Sequence, residues 1–334
     1  MSRIFVYIVL LLFSFLWFLG CSKQSVRWLS EKGFVADDYR YGDLYRFSHL
    51  PEFRVPVEKC SETPRYTTQI DSIHLVLAGD SFTEEGRIFA SDFQAGHFTR
   101  VHVASPTSVS IDTNQYNVLV IQTVERHFRE RFQDTYQNVR VNETLTPEEL
   151  NWKEKLLAMR VPYNEERHEA TLFSNDFFLQ IKEWKAILND RIFGRIDENV
   201  IRSSDKKHIF YAVDRKPGIT SSLDVVTDAQ IQAYVTRINQ TANYYQSLGF
   251  KEVILSIIPN KSSILGQADG PYNHLIERIQ THPSLQVRCI DMYNPLLQLG
   301  EKGFDKGDTH WTCTGKTIWI DEVNKLLNPK KASK

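Results

Sequence analysis

The stretch Ile73-His74-Leu75-Val76-Leu77-Ala78-Gly79-Asp80-Ser81-Phe82 reads as a buried strand running into a polar turn. Its apolar residues are continuous rather than alternating, the pattern of a strand covered on both faces. The same strand character recurs at 100–104, at Val118-Leu119-Val120-Ile121, at 208–213, at Val253-Ile254-Leu255-Ser256-Ile257-Ile258 (stopped by Pro259) and at 287–290. Helical patterns lie between them. Residues 126–206 are mostly helical, with one helix predicted at 175–192; an amphipathic helix covers 228–248 with Gly249 as its cap, and a last helix covers 315–327. Continuous apolar strands separated by helices predict an α/β fold built on a parallel sheet with helices on both faces.

In such sheets ligands bind beyond the carboxyl ends of the strands, so the polar residues that follow each strand form the candidate site. They are Gly79-Asp80-Ser81-Phe82, Thr123-Val124-Glu125-Arg126, Pro259-Asn260-Lys261 and, before the last helix, Asp308-Thr309-His310-Trp311. A serine hydroxyl becomes a competent nucleophile when an imidazole takes its proton, and the imidazole needs a carboxylate to hold its tautomer. Ser81, on a glycine-containing strand-to-helix turn, is the candidate nucleophile, and its own backbone N–H is a candidate oxyanion donor. His310 is the candidate base and Asp308 its orienting carboxylate, with Asp305 as the alternative. Each piece alone has an ordinary explanation: Asp80 or Ser81 caps a helix, and Asp-Thr-His is common loop chemistry. Asp80, Glu125, Arg126 and Trp311 complete the candidate oxyanion and substrate-binding set. Glu125 and Arg126 either contact substrate or open a solvated helix face that continues through Arg129, Glu130 and Arg131. Trp311 is either a sugar-stacking platform or a buried wedge beside the catalytic loop, with the wedge favoured.

Taken together, these blocks resemble the SGNH/GDSL hydrolase superfamily. Gly79-Asp80-Ser81-Phe82 is similar to its nucleophile block and Asp308-Thr309-His310-Trp311 to its C-terminal Asp/His block. The DTHW form resembles the branch of alginate O-acetylation and DHHW-type proteins, which also carry Pro-x-Lys and Glu-Arg after strands, here Pro259-Asn260-Lys261 and Glu125-Arg126. The resemblance covers residues 70–328. It implies a three-layer α/β/α sandwich with a parallel, flavodoxin-like sheet and a helical insertion at 126–206. It also implies Ser81 as nucleophile, His310 as base, Asp308 as its partner, and the moving or removing of acetyl groups on extracytoplasmic glycans. The chain departs from these patterns in three respects: the Asp-His element follows the serine block where in that branch it generally precedes it, the superfamily's Gly and Asn oxyanion donors have no evident counterpart, and one residue separates Asp308 from His310 where GDSL enzymes commonly have two.

The composition narrows the field further. Among 334 residues, 40 basic and 41 acidic side chains leave no basic face for nucleic acid, and a 42% hydrophobic content is enough to build a core. Arg3 is the only charge in the first twenty residues; the run from Ile4 to Leu19 is apolar apart from Ser14 and ends at Gly20-Cys21. This pattern fits a secretory signal. It resembles a bacterial lipoprotein signal, with Cys21 as the lipidated first residue and a cell-envelope, membrane-anchored protein as the consequence; the alternative is an uncleaved signal anchor. The expected organisation is a signal at 1–20, an arm at 21–66 broken by Pro51, Pro56 and Pro64, and an α/β domain at 67–330. Of Cys60, Cys289 and Cys313, two are expected to pair in an oxidising compartment, with three pairings open. No metal, nucleotide or cofactor motif is found, so none is expected. The expected function is a serine O-acyltransferase or O-acyl esterase acting on an acylated envelope polysaccharide. The alternatives are a non-catalytic glycan-binding or assembly module and, less favoured, a phospholipid esterase.

Overall fold

A computed structural model describes residues 3–36, 38–60, 70–142 and 163–327. It holds nine strands: β1 (Ile70–Gly79), β2 (Ala95–His102), β3 (Thr107–Val109), β4 (Tyr116–Val124), β5 (Val139–Val141), β6 (Val200–Arg202), β7 (Ile209–Tyr211), β8 (Glu252–Ile258) and β9 (Arg288–Ile290). Five of them form one sheet in the order β2-β1-β4-β8-β9, with every neighbouring pair parallel. Counting only its own strands, the order is 2-1-3-4-5, so the winding direction reverses between β1 and β4, where doubly wound sheets open a crevice. Successive residues of the inner strands are buried whichever face they point to: Leu75 to Ala78 in β1 and Val118 to Ile121 in β4 are at most 2% exposed. That is why their apolar runs are unbroken. Helices flank the sheet, and the architecture is a mixed α/β one with a central parallel sheet.

Two sequence expectations change. β2 begins at Ala95 rather than at 100, because it is an edge strand of mixed burial and so lacks a continuous apolar signature. The strand predicted at 208–213 shortens to β7 and pairs with β6 in a separate two-stranded sheet, as β3 does with β5.

The chain divides into two compact units. One comprises Glu58–Leu145, Ile201–Asp305 and Thr309–Lys334, and contains the five-stranded sheet and the main core. In it the helix Asp228–Ser247 starts on a Thr227/Gln230 capping box and buries Ile231, Val235, Ile238 and Tyr245; Gly249 follows at φ +109°, a backbone region that favours glycine. The closing helix Cys313–Leu327 buries Trp319, whose indole N–H donates to Ser256 Oγ of β8 at 2.9 Å. A disulfide joins Cys60 to Cys313, and Cys289 is a free thiol.

The other unit comprises Met1–Val57, Thr146–Val200 and Lys306–Asp308. The segment read as an arm is largely helical where described (Lys23–Glu31, Asp38–Tyr41, Asp43–Ser48), and it shares this unit with the inserted helices Glu165–Phe173 and Asp176–Phe193. Its small core joins Tyr41, Tyr45 and Leu179; the Tyr45 hydroxyl donates to Glu183 at 2.8 Å, and Arg54 pairs with both Glu183 and Asp176. The N-terminal helix Arg3–Gly20 is apolar, long enough to cross a membrane, and of the kind found in signal sequences.

Candidate active site

β1 ends at Gly79, where a Cβ would run into Thr83 Oγ1, so glycine is required for the chain to turn back so tightly. Asp80 then caps the short 3-10 turn Ser81–Thr83. Its Oδ1 accepts from the Phe82 N–H at 3.0 Å and from Gln122 Nε2 at 2.9 Å, and its Oδ2 accepts from the Val124 N–H at 2.6 Å. Gln122 Oε1 in turn accepts from the Asp80 N–H and from Thr83 Oγ1. Arg100 of β2 donates to the carbonyls of Gly79, Asp80 and Thr83. Asp80 thus has both carboxylate oxygens engaged in tying the serine turn to β4. Gln122 and Arg100 complete the clamp. Neither was singled out from the sequence, because each reads as an ordinary strand residue.

His310 is held by a closed loop. Phe304 and Trp311 form an antiparallel bridge, the Asp305 N–H donates to the His310 carbonyl at 3.1 Å, and the Thr312 N–H donates to the Gly303 carbonyl at 3.1 Å. Lys261, buried just beyond β8, donates its Nζ to the Asp305 carbonyl at 2.7 Å, which gives the Pro-Asn-Lys segment a structural task. The Phe82 ring lies under the imidazole with centroids 4.7 Å apart. The Trp311 ring is 3% exposed, edge-on to Phe82 at 5.2 Å and near Trp319 at 5.9 Å, the position of a wedge. The outcome is a contact across 229 residues of sequence: His310 Nε2 lies 2.9 Å from Ser81 Oγ, within range for proton transfer. Asp308 is buried in the segment Lys306–Asp308 of the other unit, where it abuts Gly42.

Glu125 and Arg126 open the helix Glu125–Arg131, and three of its charged residues, Glu125, Arg126 and Arg129, are buried. A solvated helix face is therefore not what this run of charge makes. Glu125 Oε2 accepts from the Asn260 N–H at 3.0 Å and from Ser263 Oγ at 2.5 Å. Burial, opposed in part by these bonds, raises its carboxyl to about 7. Arg126 makes a two-pronged pair with Asp214, Nε to Oδ1 at 2.7 Å and Nη2 to Oδ2 at 3.3 Å, and its N–H donates to Asn260 Oδ1 at 3.2 Å. The guanidinium also lies over the Tyr211 ring. Asn260 therefore bridges Glu125 and Arg126, joining the segment after β4 to the one after β8. Asp214 went unnoticed in the sequence because it sits in a 3-10 turn after a three-residue strand.

These pieces border a cavity of about 520 Å³ beyond the carboxyl ends of β2, β1 and β4, lined by Ser81, Asp80, His102, Arg126, His127, Arg131 and Asn138 among others. That volume suits a small polar ligand. Desolvation, then the charges of Arg126 and Arg131, hold the His127 imidazole below its ordinary range; desolvation, then Arg100 and Arg131, do the same for His102. Both rings are thus neutral hydrogen-bonding groups at neutral pH. Arg131 donates to Thr123 Oγ1 at 2.9 Å. The wall is polar and well bonded, with Ser81 among its lining residues. Set against known proteins, the chain matches no family model, no curated protein and no solved structure.

Proposed function

We propose that this chain is an extracytoplasmic SGNH-type serine O-acyltransferase or O-acyl esterase acting on acyl groups of a cell-envelope polysaccharide, anchored to the membrane through lipidated Cys21. The observation that carries the reading is the 2.9 Å approach of Ser81 Oγ to His310 Nε2 at the wall of a cavity beyond the strand ends. With Nε2 unprotonated, Ser81 attacks the ester carbonyl and its proton passes to His310; collapse expels the sugar hydroxyl, which takes that proton back, and leaves an acyl-Ser81. Water or a second sugar hydroxyl then attacks the acyl carbon, giving up its proton to His310, and the C–Oγ bond breaks as His310 returns that proton to Ser81 Oγ. Hydrolysis and transfer differ only in which nucleophile resolves this intermediate. Asp308 enters the reading as orienting carboxylate from its sequence position, and the Ser81 backbone N–H as oxyanion donor from its place on the turn. Arg126, fixed by Asp214, supplies a rigid donor on the cavity wall.

The test is labelling of the full chain with a serine-directed fluorophosphonate, alongside turnover of p-nitrophenyl acetate, for the parent, Ser81→Ala, His310→Ala and Asp308→Ala. The reading requires labelling of the parent that is lost in Ser81→Ala and strongly reduced in the other two. Folded parent protein that neither labels nor turns over the ester would overturn it in favour of a glycan-binding or assembly module.

A further inference from the structure

The helix Asp176–Phe193 presents two opposed faces. Leu179 and Glu183 point inward to Tyr41 and Tyr45. On the opposite side Phe177, Ile181, Trp184, Leu188 and Ile192 are 66, 43, 68, 51 and 66% exposed. At 100° per residue these five fall within about 80° of the helix circumference, a single apolar stripe. Lys182, Lys185, Asn189 and Arg191 interrupt the sequence between them, so the helix is amphipathic and does not qualify as a span.

What adjoins the stripe identifies its occupant. Cys21, the membrane anchor in the proposed function, lies against the helix Glu165–Phe173, its Sγ 3.7 Å from His168 Nε2. Only Ser174 and Asn175 separate that helix from the striped one. The Ala36 N–H donates to the Ser174 carbonyl at 2.7 Å, tying the segment that follows exposed Trp28 and Phe34 to the turn between exposed Phe173 and Phe177. Exposed aromatic rings therefore occur both on the segment that follows Cys21 and at the start of the stripe, as they do where a protein lies in a lipid interface. A second copy fits less well. The 4-3-4 spacing of Phe177, Ile181, Trp184 and Leu188 would next need an apolar residue at 191, which is Arg191, so a coiled-coil seam stops short of two heptads.

We propose that the helix Asp176–Phe193 lies in the plane of the lipid bilayer surface, with Phe177, Ile181, Trp184, Leu188 and Ile192 sunk below the headgroups. The proposal rests on the N-terminal segment being membrane-directed, and is independent of any activity of Ser81.

The experiment places the full chain in phosphatidylcholine vesicles with ordinary or chain-brominated lipid, and compares the parent with Trp184→Phe. The emission lost in Trp184→Phe isolates Trp184. We expect the chain to float with the vesicles and the Trp184 emission to fall about twofold or more in brominated lipid. In an Ile181→Asp/Leu188→Asp variant of unchanged circular dichroism this quenching should disappear. A floating chain whose Trp184 emission is the same in both lipids overturns the proposal; two copies per nanodisc, with Trp184 still unquenched, would assign the stripe to self-association instead. A chain that does not float overturns the membrane-directed premise itself.

Discussion

Glu125→Gln should remove a pH-dependent weakness from the fold. The Glu125 side chain is 3% exposed, and its carboxyl is raised from an ordinary 4.5 to about 7, chiefly by burial. The folded protein therefore keeps a proton that the unfolded chain releases between pH 4.5 and 7. The stability this proton confers is fully present below about 4.5, is lost as pH rises through about 7, and levels off above it. Raising the carboxyl from 4.5 to about 7 corresponds to about 3 kcal/mol at pH 8. Glutamine mimics the protonated acid. Its carbonyl can accept from the Asn260 N–H and Ser263 Oγ, and its amide takes the position of Oε1 beside the buried Tyr272 hydroxyl. Denaturant unfolding of parent and Glu125→Gln at pH 5, 6, 7 and 8 should show near-equal stability at pH 5 and a widening advantage for the variant, up to about 3 kcal/mol by pH 8. Glu125→Leu, which strands both donors, should instead cost about 1–3 kcal/mol at pH 5, and because it too lacks the titrating carboxyl that cost should shrink as the pH rises to 8. A parent-to-Gln difference that stays flat from pH 5 to 8 would refute the reasoning.

Three further outcomes follow from the site. Arg126→Met leaves Asp214, which is fully buried, without its ion-pair partner and should destabilise by about 3–5 kcal/mol, most of it recovered in Arg126→Met/Asp214→Leu; thermal melting of the two variants checks this, and equal losses would count against it. Asp80→Asn cannot satisfy the Phe82 and Val124 N–H groups and Gln122 Nε2 together, so it should cost about 1–3 kcal/mol and slow fluorophosphonate labelling of Ser81, read from a labelling time course; an unchanged rate would mean the clamp does not orient the nucleophile. Lys261→Met keeps the length of the buried stem but loses the bond to the Asp305 carbonyl, so Ser81 labelling should slow at a temperature where the variant is fully folded; an unchanged labelling rate in the folded variant would make Lys261 a packing residue only.

Much of the sheet was legible because its signal is local. β1, β4 and β8 are each covered on both faces, and a doubly covered strand announces itself as an unbroken apolar run. Ser81 and His310 were legible for a related reason: turn chemistry after a strand and before a terminal helix marks the edge where such sheets gather polar residues. The edge strand β2 was misplaced by five residues because half of it faces solvent and carries no such run. The partnerships within the site were not legible. Asp80 with Gln122, Arg126 with Asp214, Glu125 with Asn260 and Lys261 with the Asp305 carbonyl join residues between 42 and 135 positions apart. None leaves a periodic trace, because side chains at the strand ends meet only after the sheet has set which strands are neighbours. The sequence by itself determined the parallel α/β class and the strand-end turns that carry Ser81 and His310. Tertiary structure alone decided that Asp80 clamps the turn, that Trp311 is a wedge, and that the charges at 125, 126 and 129 are buried: burial and pairing are properties of packed neighbours, and a chain does not encode its neighbours locally.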